Sequence, residues 1–365
     1  ISMDAGDMLP PELAAILARV REQADRMPPK QLRDMLDADW GTGWLGRFSH
    51  FNPRPIAAAS IGQVHKATTK DGRELAIKVQ YPGVKESIDA DIDNVATLLR
   101  VSGVLPKELD IAPLLAEAKR QLHEEADYAR EGKQMMLYRD RMASDDTFVV
   151  PAIAQNFSTG RVLAMDYIPG HPVEEQEDAP QEERDRVAAA IIALVLRELF
   201  EFGVMQTDPN FGNYRYQPES GKLVLLDFGA TRAVEPWVAA SYRRLLAAGM
   251  AQDREAVRLA ALGAGFVAAG VVTNHSERFD RMIDVILAEM HKPGPFDFGD
   301  RAFVSALRDE GMAMAQDKAT WHIPPVETLF VQRKISGTAL LAARLKARVD
   351  VRALVRPYIS EDRSA

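Results

Sequence analysis

The chain has 365 residues, which at roughly 150 per domain predicts two domains or lobes. Its 47% hydrophobic and 27% charged residues are those of a folded globular protein rather than a disordered or fibrous one, and a net charge of −8 argues against nucleic acid as a partner. The absence of cysteine rules out disulfides, thiolate metal sites and cysteine nucleophiles.

The sequence opens on Ile1 rather than methionine, so an upstream piece is expected, and with it the place for a targeting signal or membrane anchor. After Pro10 and Pro11, the apolar residues Leu13, Ile16, Leu17, Val20 and Met27 recur at helical spacing and predict an amphipathic helix over 9–27, with a shorter one over 31–36. Gly41, Gly43, Gly46, Pro53 and Pro55 then break regular structure and close an N-terminal helical extension over 1–52. Strand-like runs at 61–68 and 74–79 flank Lys70-Asp71-Gly72-Arg73, whose Asp-Gly pair predicts an antiparallel hairpin. Helical periodicity follows over 88–101 and 112–142, then strands over 148–151 and 162–167. The acidic stretch 174–186 reads as a solvated connection. Beyond it, helices are predicted over 187–202, 237–251 and 254–262 and along 304–347. The apolar run from Val187 to Leu196 ends at Arg197 and Glu198 and has about half the length a membrane-spanning helix requires. The pattern is α+β: a small mixed lobe over 53–168 and a mainly helical lobe over 169–365.

Four constellations carry chemistry. Ala57-Ala58-Ala59-Ser60-Ile61-Gly62-Gln63-Val64 has the spacing of the glycine-rich phosphate loop of protein kinases, with Ala57, Ala59 and Gly62 at the three glycine positions. Each alanine methyl restricts the positive-φ conformations that let a backbone wrap a phosphate, and taken alone the segment equally suits the start of a plain hairpin. Leu75-Ala76-Ile77-Lys78 matches the strand whose lysine grips nucleotide phosphates, a role that calls for a glutamate partner on a following helix. Along 112–142 a helical period puts Glu124, Asp127 and Glu131 on one face and Glu125 nearly opposite. Asp208 and Asn213 keep the Asp-x-x-x-x-Asn spacing that supplies a carboxylate to an attacking oxygen and an amide oxygen to a metal. Leu223-Val224-Leu225-Leu226 then leads into Asp227-Phe228-Gly229, a buried strand ending in a metal-binding carboxylate. Each piece has a plain structural reading by itself; their kinase-like order and separation do not.

Ala57 to His65, Val79-Gln-Tyr-Pro-Gly-Val84, Glu125-x-Asp127-Tyr128, Gln206-Thr-Asp-Pro-Asn210 and Leu226-Asp-Phe-Gly-Ala-Thr-Arg232 together resemble the UbiB-type atypical kinases of ubiquinone (coenzyme Q) biosynthesis, in the branch that includes the mitochondrial coenzyme Q kinases. The resemblance implies a protein-kinase-like bilobal fold and a Mg²⁺-dependent enzyme binding ATP or ADP. By position, Lys78 would hold the phosphates with Glu131 as its ion-pair partner, Asp208 would be catalytic, and Asn213 and Asp227 would bind Mg²⁺. Ala57, Ala58, Ala59, Ser60, Gly62, Val64, Lys78 and Met165 would contact the nucleotide. Glu125 and Asp127 would form a Glu-x-Asp element facing a Lys-x-Gly-Gln motif in the extension, a motif expected just upstream of Ser2 and absent here.

No Ala-Pro-Glu follows Asp227-Phe228-Gly229, so efficient protein phosphorylation is not expected. The expected partners are the nucleotide, quinone-precursor lipids and quinone-biosynthesis enzymes, with a cytoplasmic location and peripheral contact at the inner membrane. The alternative is a nucleotide-gated lipid-binding or scaffold module on the same fold. An antibiotic phosphotransferase is disfavoured by the alanine loop.

Overall fold

The structure is a computed structural model that describes residues 27–59, 61–102, 112–267, 274–300 and 325–359. The helix expected over 9–27 thus lies outside the described residues except for Met27, as do Ser60 and residues 304–324 of the long helical stretch. The chain divides into two compact units: the first extends to His171 and takes up Asn213–Thr231, and the second comprises Pro172–Gly212 and the chain from Arg232.

In the first unit, helix α1 (Pro29–Trp40) precedes strands β1 (Phe48–Phe51), β2 (Ala57–Ala59), β3 (Gly62–Thr69) and β4 (Glu74–Gln80). Helices α2 (Val84–Ser102), α3 (Ala112–Glu125) and α4 (Tyr128–Arg141) follow, then β5 (Phe148–Val149), β6 (Val162–Asp166), β7 (Tyr214–Gln217) and β8 (Lys222–Leu225). An antiparallel sheet runs β1-β3-β4-β6, with β2 sharing the β1 edge of β3. Strand β8 pairs parallel with β5 and antiparallel with β7.

The β3–β4 hairpin turns at Gly72, whose φ of +88° is open to glycine at little cost. The Thr69 hydroxyl accepts from the Arg73 N–H at 3.0 Å inside the turn. Because side chains alternate along a strand, Leu75, Ile77 and Val79 all point to one face of β4, where they are fully buried against Leu32, Leu36, Trp44 and Phe48. Each such aliphatic contributes about 1.5–3 kcal/mol. The same alternation puts Lys78 on the opposite face.

Fully buried His65 on β3 shares a 2.9 Å hydrogen bond with the Asn52 carbonyl through Nδ1 and another with Gln63 through Nε2, and Gln63 Oε1 accepts from the Met27 N–H at 3.0 Å. Burial pushes the His65 pKa down, so the ring is held neutral as it links the extension to the sheet.

The structure departs from the sequence reading in two places here, at β1 and over 112–142, and gives the alanine segment the hairpin pairing that was one of its two readings. The turn-rich segment 41–55 holds β1, which finds its partner in distant Thr68 and Thr69. The alanines form a regular strand, with Ala57 opposite Val64 and Ala59 opposite Gly62. The single helix expected over 112–142 is two: Asp127 leaves helical geometry and caps α4, its Oδ1 accepting from the Arg130 N–H at 2.9 Å, so Glu124 and Glu131 sit on different helices.

In the second unit, helix α5 (Gln181–Arg197) widens into a π turn over Glu198–Phe202 and leads through Gly203 to a short strand, Val204–Gln206. Helices α6 (Pro236–Met250), α7 (Arg254–Gly263), α8 (Ser276–Met290), α9 (Val326–Arg344) and α10 (Val351–Ile359) follow among its described residues. Val195, Leu199, Met205, Val238, Tyr242 and Val331 form its core. The acidic stretch is not a solvated connection. Val173–Asp178 is a 3-10 helix that buries Val173 and Gln176, and α5 begins at Gln181, because only the outer faces of these turns carry the charges. No described helix is long and apolar enough to cross a membrane.

Candidate active site

Helix α4 buries Tyr128, Glu131, Met135 and Tyr138, a stripe at helical spacing with one carboxylate in it. Burying a charge without a partner is costly, and the partner is Lys78 on β4. Its Nζ donates to both Glu131 oxygens at 3.0 Å and to Asp227 Oδ2 at 3.3 Å, and lies 5.1 Å from the Tyr128 ring centre. One ammonium therefore serves two carboxylates.

Burial alone would neutralise Lys78, but Asp227 and Glu131 hold it protonated, well above the ordinary lysine range. Burial pushes Glu131 up to about 7 despite the pull of Lys78. For Asp227 burial also favours the neutral form, but Lys78 and the Gly229 N–H outweigh it and hold the carboxyl below the usual range. The Gly229 N–H donates to Asp227 Oδ1 at 2.9 Å. The Asp227 side chain is 34% exposed and that of Glu131 1%. Asp227 is thus the carboxylate able to reach a cation, and Glu131 is confined to the lysine.

Two residues that the sequence reading assigned no role hold this arrangement. Arg130 Nη1 donates to the Gly229 carbonyl at 2.8 Å, and its Nη2 donates to the Thr231 carbonyl, so α4 clasps the turn after Asp227. Phe228, 1% exposed, packs on Tyr138 with ring centres 4.9 Å apart. The Arg130 contacts span about a hundred residues of sequence, and nothing local signals them. Tyr128 was legible as part of a motif but not as the ring beside the lysine.

Asn213 precedes β7, and its carbonyl accepts from the Leu226 N–H at 3.0 Å, which puts it across the ladder from the residue before Asp227. An amide and a partly exposed carboxylate suit Mg²⁺, which binds through one or two protein oxygens and takes the rest from water and phosphate. The described residues hold no group of three His, Cys, Asp or Glu able to bind a metal by themselves.

The alanine strand is exposed at Ala57 and Ala58 and half-buried at Ala59. Gly62 has a packing reason as well: a Cβ there would lie 2.2 Å from the Val79 carbonyl oxygen. Val64 is half-buried opposite Lys78, and Met165 is buried in β6 opposite Ala76. Glu125 ends α3, and its Oε1 accepts from Gln121 at 3.3 Å. Asp127 serves as the α4 cap. The structure thus brings together Lys78, Glu131 and Asp227. Asp208 belongs to the second unit, in the loop after Val204–Gln206, where its Oδ1 accepts from the Asn210 N–H at 3.3 Å.

A family model described as "ABC1 atypical kinase-like domain" matches residues 19–261. "Atypical kinase coq-8, mitochondrial" of Caenorhabditis elegans is 36% identical over 353 residues, covering 96% of this chain and 46% of that protein. "Atypical kinase COQ8B, mitochondrial" of Danio rerio is 35% identical over 352 residues, with 96% and 56% covered. "Atypical kinase COQ8, mitochondrial" of Saccharomyces cerevisiae is 34% identical over 355 residues, with 96% and 70% covered. The chain spans about half the length of the worm and fish proteins. A solved structure of the Rv3197–erythromycin complex from Mycobacterium tuberculosis matches with a TM-score of 0.73 at 24% identity, over 98% of this chain and 90% of that one, which shows a shared fold.

Proposed function

The chain belongs to the ABC1 atypical kinase-like family and has its kinase-like fold, and from that premise we propose that it is a Mg²⁺-dependent, ATP-binding atypical kinase or ATPase supporting ubiquinone biosynthesis. The observation that carries the reading is the buried Lys78–Glu131 pair with the partly exposed Asp227 carboxylate beside it.

Glu131 fixes the Lys78 ammonium in place and keeps it charged, ready for nucleotide phosphates. Asp227 and Asn213 would hold Mg²⁺, which when bound offsets the charge of the β- and γ-phosphates. Arg130 and Phe228 keep Asp227 aimed by fixing its turn. Asp208 is assigned the acceptor's proton on its spacing to Asn213. With no Ala-Pro-Glu after the Asp-Phe-Gly turn, the acceptor is read as water or a small molecule, and quinone-precursor lipids and quinone-biosynthesis enzymes are the proposed partners.

The regular pairing of Ala57–Ala59 favours a second reading, a nucleotide-gated lipid-binding or scaffold module, because a strand locked in a ladder wraps phosphates less freely than a glycine loop. Thermal unfolding with ATP or ADP, with and without Mg²⁺, tests the nucleotide site common to both readings. Ligand at a hundred times its Kd should stabilise by about 2.7 kcal/mol, and Asp227→Asn should remove the Mg²⁺-dependent part. A full Mg²⁺-dependent shift in that variant refutes the metal role.

A further inference from the structure

Helix α9 carries a lysine that the proposed phosphoryl-transfer machinery does not use. Lys334 is 1% exposed, yet it sits in the core of the second unit rather than at an ion-binding surface. Its Nζ donates to Gln206 Oε1 at 3.0 Å. Gln206 is two residues before Asp208 and is held from its other side as well, since its backbone N–H donates at 3.0 Å to Oε1 of Glu198, which is fully buried. A buried cation and a buried carboxylate thus grip one residue, through its side-chain amide and its main chain respectively.

Two more residues on the same face of α9 reach the same loop. Residues 333, 334 and 337 fall within about a third of a helical turn of one another's direction. Gly337 packs so closely that a Cβ would stand 2.1 Å from Pro209 Cβ, and Arg333 Nη2 lies 3.9 Å from Asp208 Oδ1. Positions 206, 208 and 209 each meet α9. Buried charges are expensive, and replacing such groups with apolar side chains is often neutral for stability, so a role in fixing the loop's geometry is what an apolar replacement of Lys334 would expose.

We propose that Lys334 is a positioning residue for Asp208, acting through Gln206, with the close approach at Gly337 setting the loop's height on α9. This rests on the reading of Asp208 as the acceptor-side carboxylate. A group that acts through Asp208 should affect turnover and leave nucleotide affinity alone, because the Lys78–Asp227 cluster belongs to the other unit.

The test compares Lys334→Met, Lys334→Arg and Gly337→Ala with wild type in two assays on the full chain. In Mg²⁺-ATP turnover, each substitution should lower kcat tenfold or more with nucleotide Kd changed less than twofold, and Lys334→Met should cause no further loss when added to Asp208→Asn. Loss that multiplies with Asp208→Asn, or kcat unchanged in the folded variants, overturns the proposal. The second assay needs no turnover: amide exchange in the nucleotide-free protein should quicken across 206–212 in each variant and stay unchanged in β6 and β8. Should Lys334→Met fail to fold, Lys334→Arg, which keeps the charge, and Gly337→Ala decide the matter by the same measures. If wild type shows no turnover, the enzymatic reading fails by itself, and exchange across 206–212 still decides whether Lys334 holds the loop: unchanged exchange there overturns the proposal.

Discussion

Removing the cation from the Lys78 cluster should cost more than removing one of its carboxylates, because one ammonium faces two acids. Lys78→Met leaves the buried Glu131 and the partly exposed Asp227 side by side with no counter-charge, and stripping a buried ion such as Glu131 of its partner typically costs about 3–5 kcal/mol. Glu131→Gln instead leaves Lys78 with Asp227 at 3.3 Å, a balanced pair, and keeps an amide oxygen to accept from the lysine. The pH dependence is distinctive. Burial raises Glu131 from 4.5 to about 7, so between those values the folded protein binds a proton that the unfolded chain releases. The stability contributed by this group is full below pH 4.5 and is lost as pH rises through about 7. The shift corresponds to about 3 kcal/mol.

Urea unfolding from pH 5 to 8, followed by the fluorescence of Trp40 and Trp44 in the core of the first unit, measures both effects. Near neutral pH Lys78→Met should lose several kcal/mol and Glu131→Gln far less. The difference between wild type and Glu131→Gln should shift in favour of the variant as pH rises from 5 to 7.5. The reasoning is refuted if Lys78→Met is no worse than Glu131→Gln, or if that difference is flat across the range.

Gly62→Ala should destabilise the first unit by about 1–3 kcal/mol, read as a lower urea midpoint, since the new methyl meets backbone rather than a yielding side chain. Ala59→Gly, at the strand position opposite Gly62, should tighten ATP relative to ADP, measured by titration calorimetry; an unchanged preference would make β2 plain hairpin structure.

The sequence disclosed the charged residues of the Lys78 cluster more readily than the local elements around them. Lys78 was legible because an alternating strand announces its own faces, and Asp227 because a short apolar run ends on it. Asp127 hid its effect: apolar periodicity continues through 112–142, and only the cap geometry shows that the helix stops there. Strand β1 was missed because glycines and prolines dominate its surroundings while its partner lies some twenty residues on. Nothing in the sequence singles out Glu198 or Lys334, since burial of a charge depends on partners that a helical pattern does not reveal.

On the proposed function, Asp208 completes a nucleotide-dependent phosphoryl-transfer enzyme. Phosphate release from Mg²⁺-ATP by wild type and Asp208→Asn, with and without quinone-precursor-like lipids and with nucleotide affinity measured in parallel, tests it most directly. Turnover by wild type, loss of most of it in Asp208→Asn, and nearly equal nucleotide affinity in the two proteins are expected. Equal release by both, or none by wild type under any lipid condition while nucleotide still binds, would contradict it, the second result in favour of the nucleotide-gated binding module.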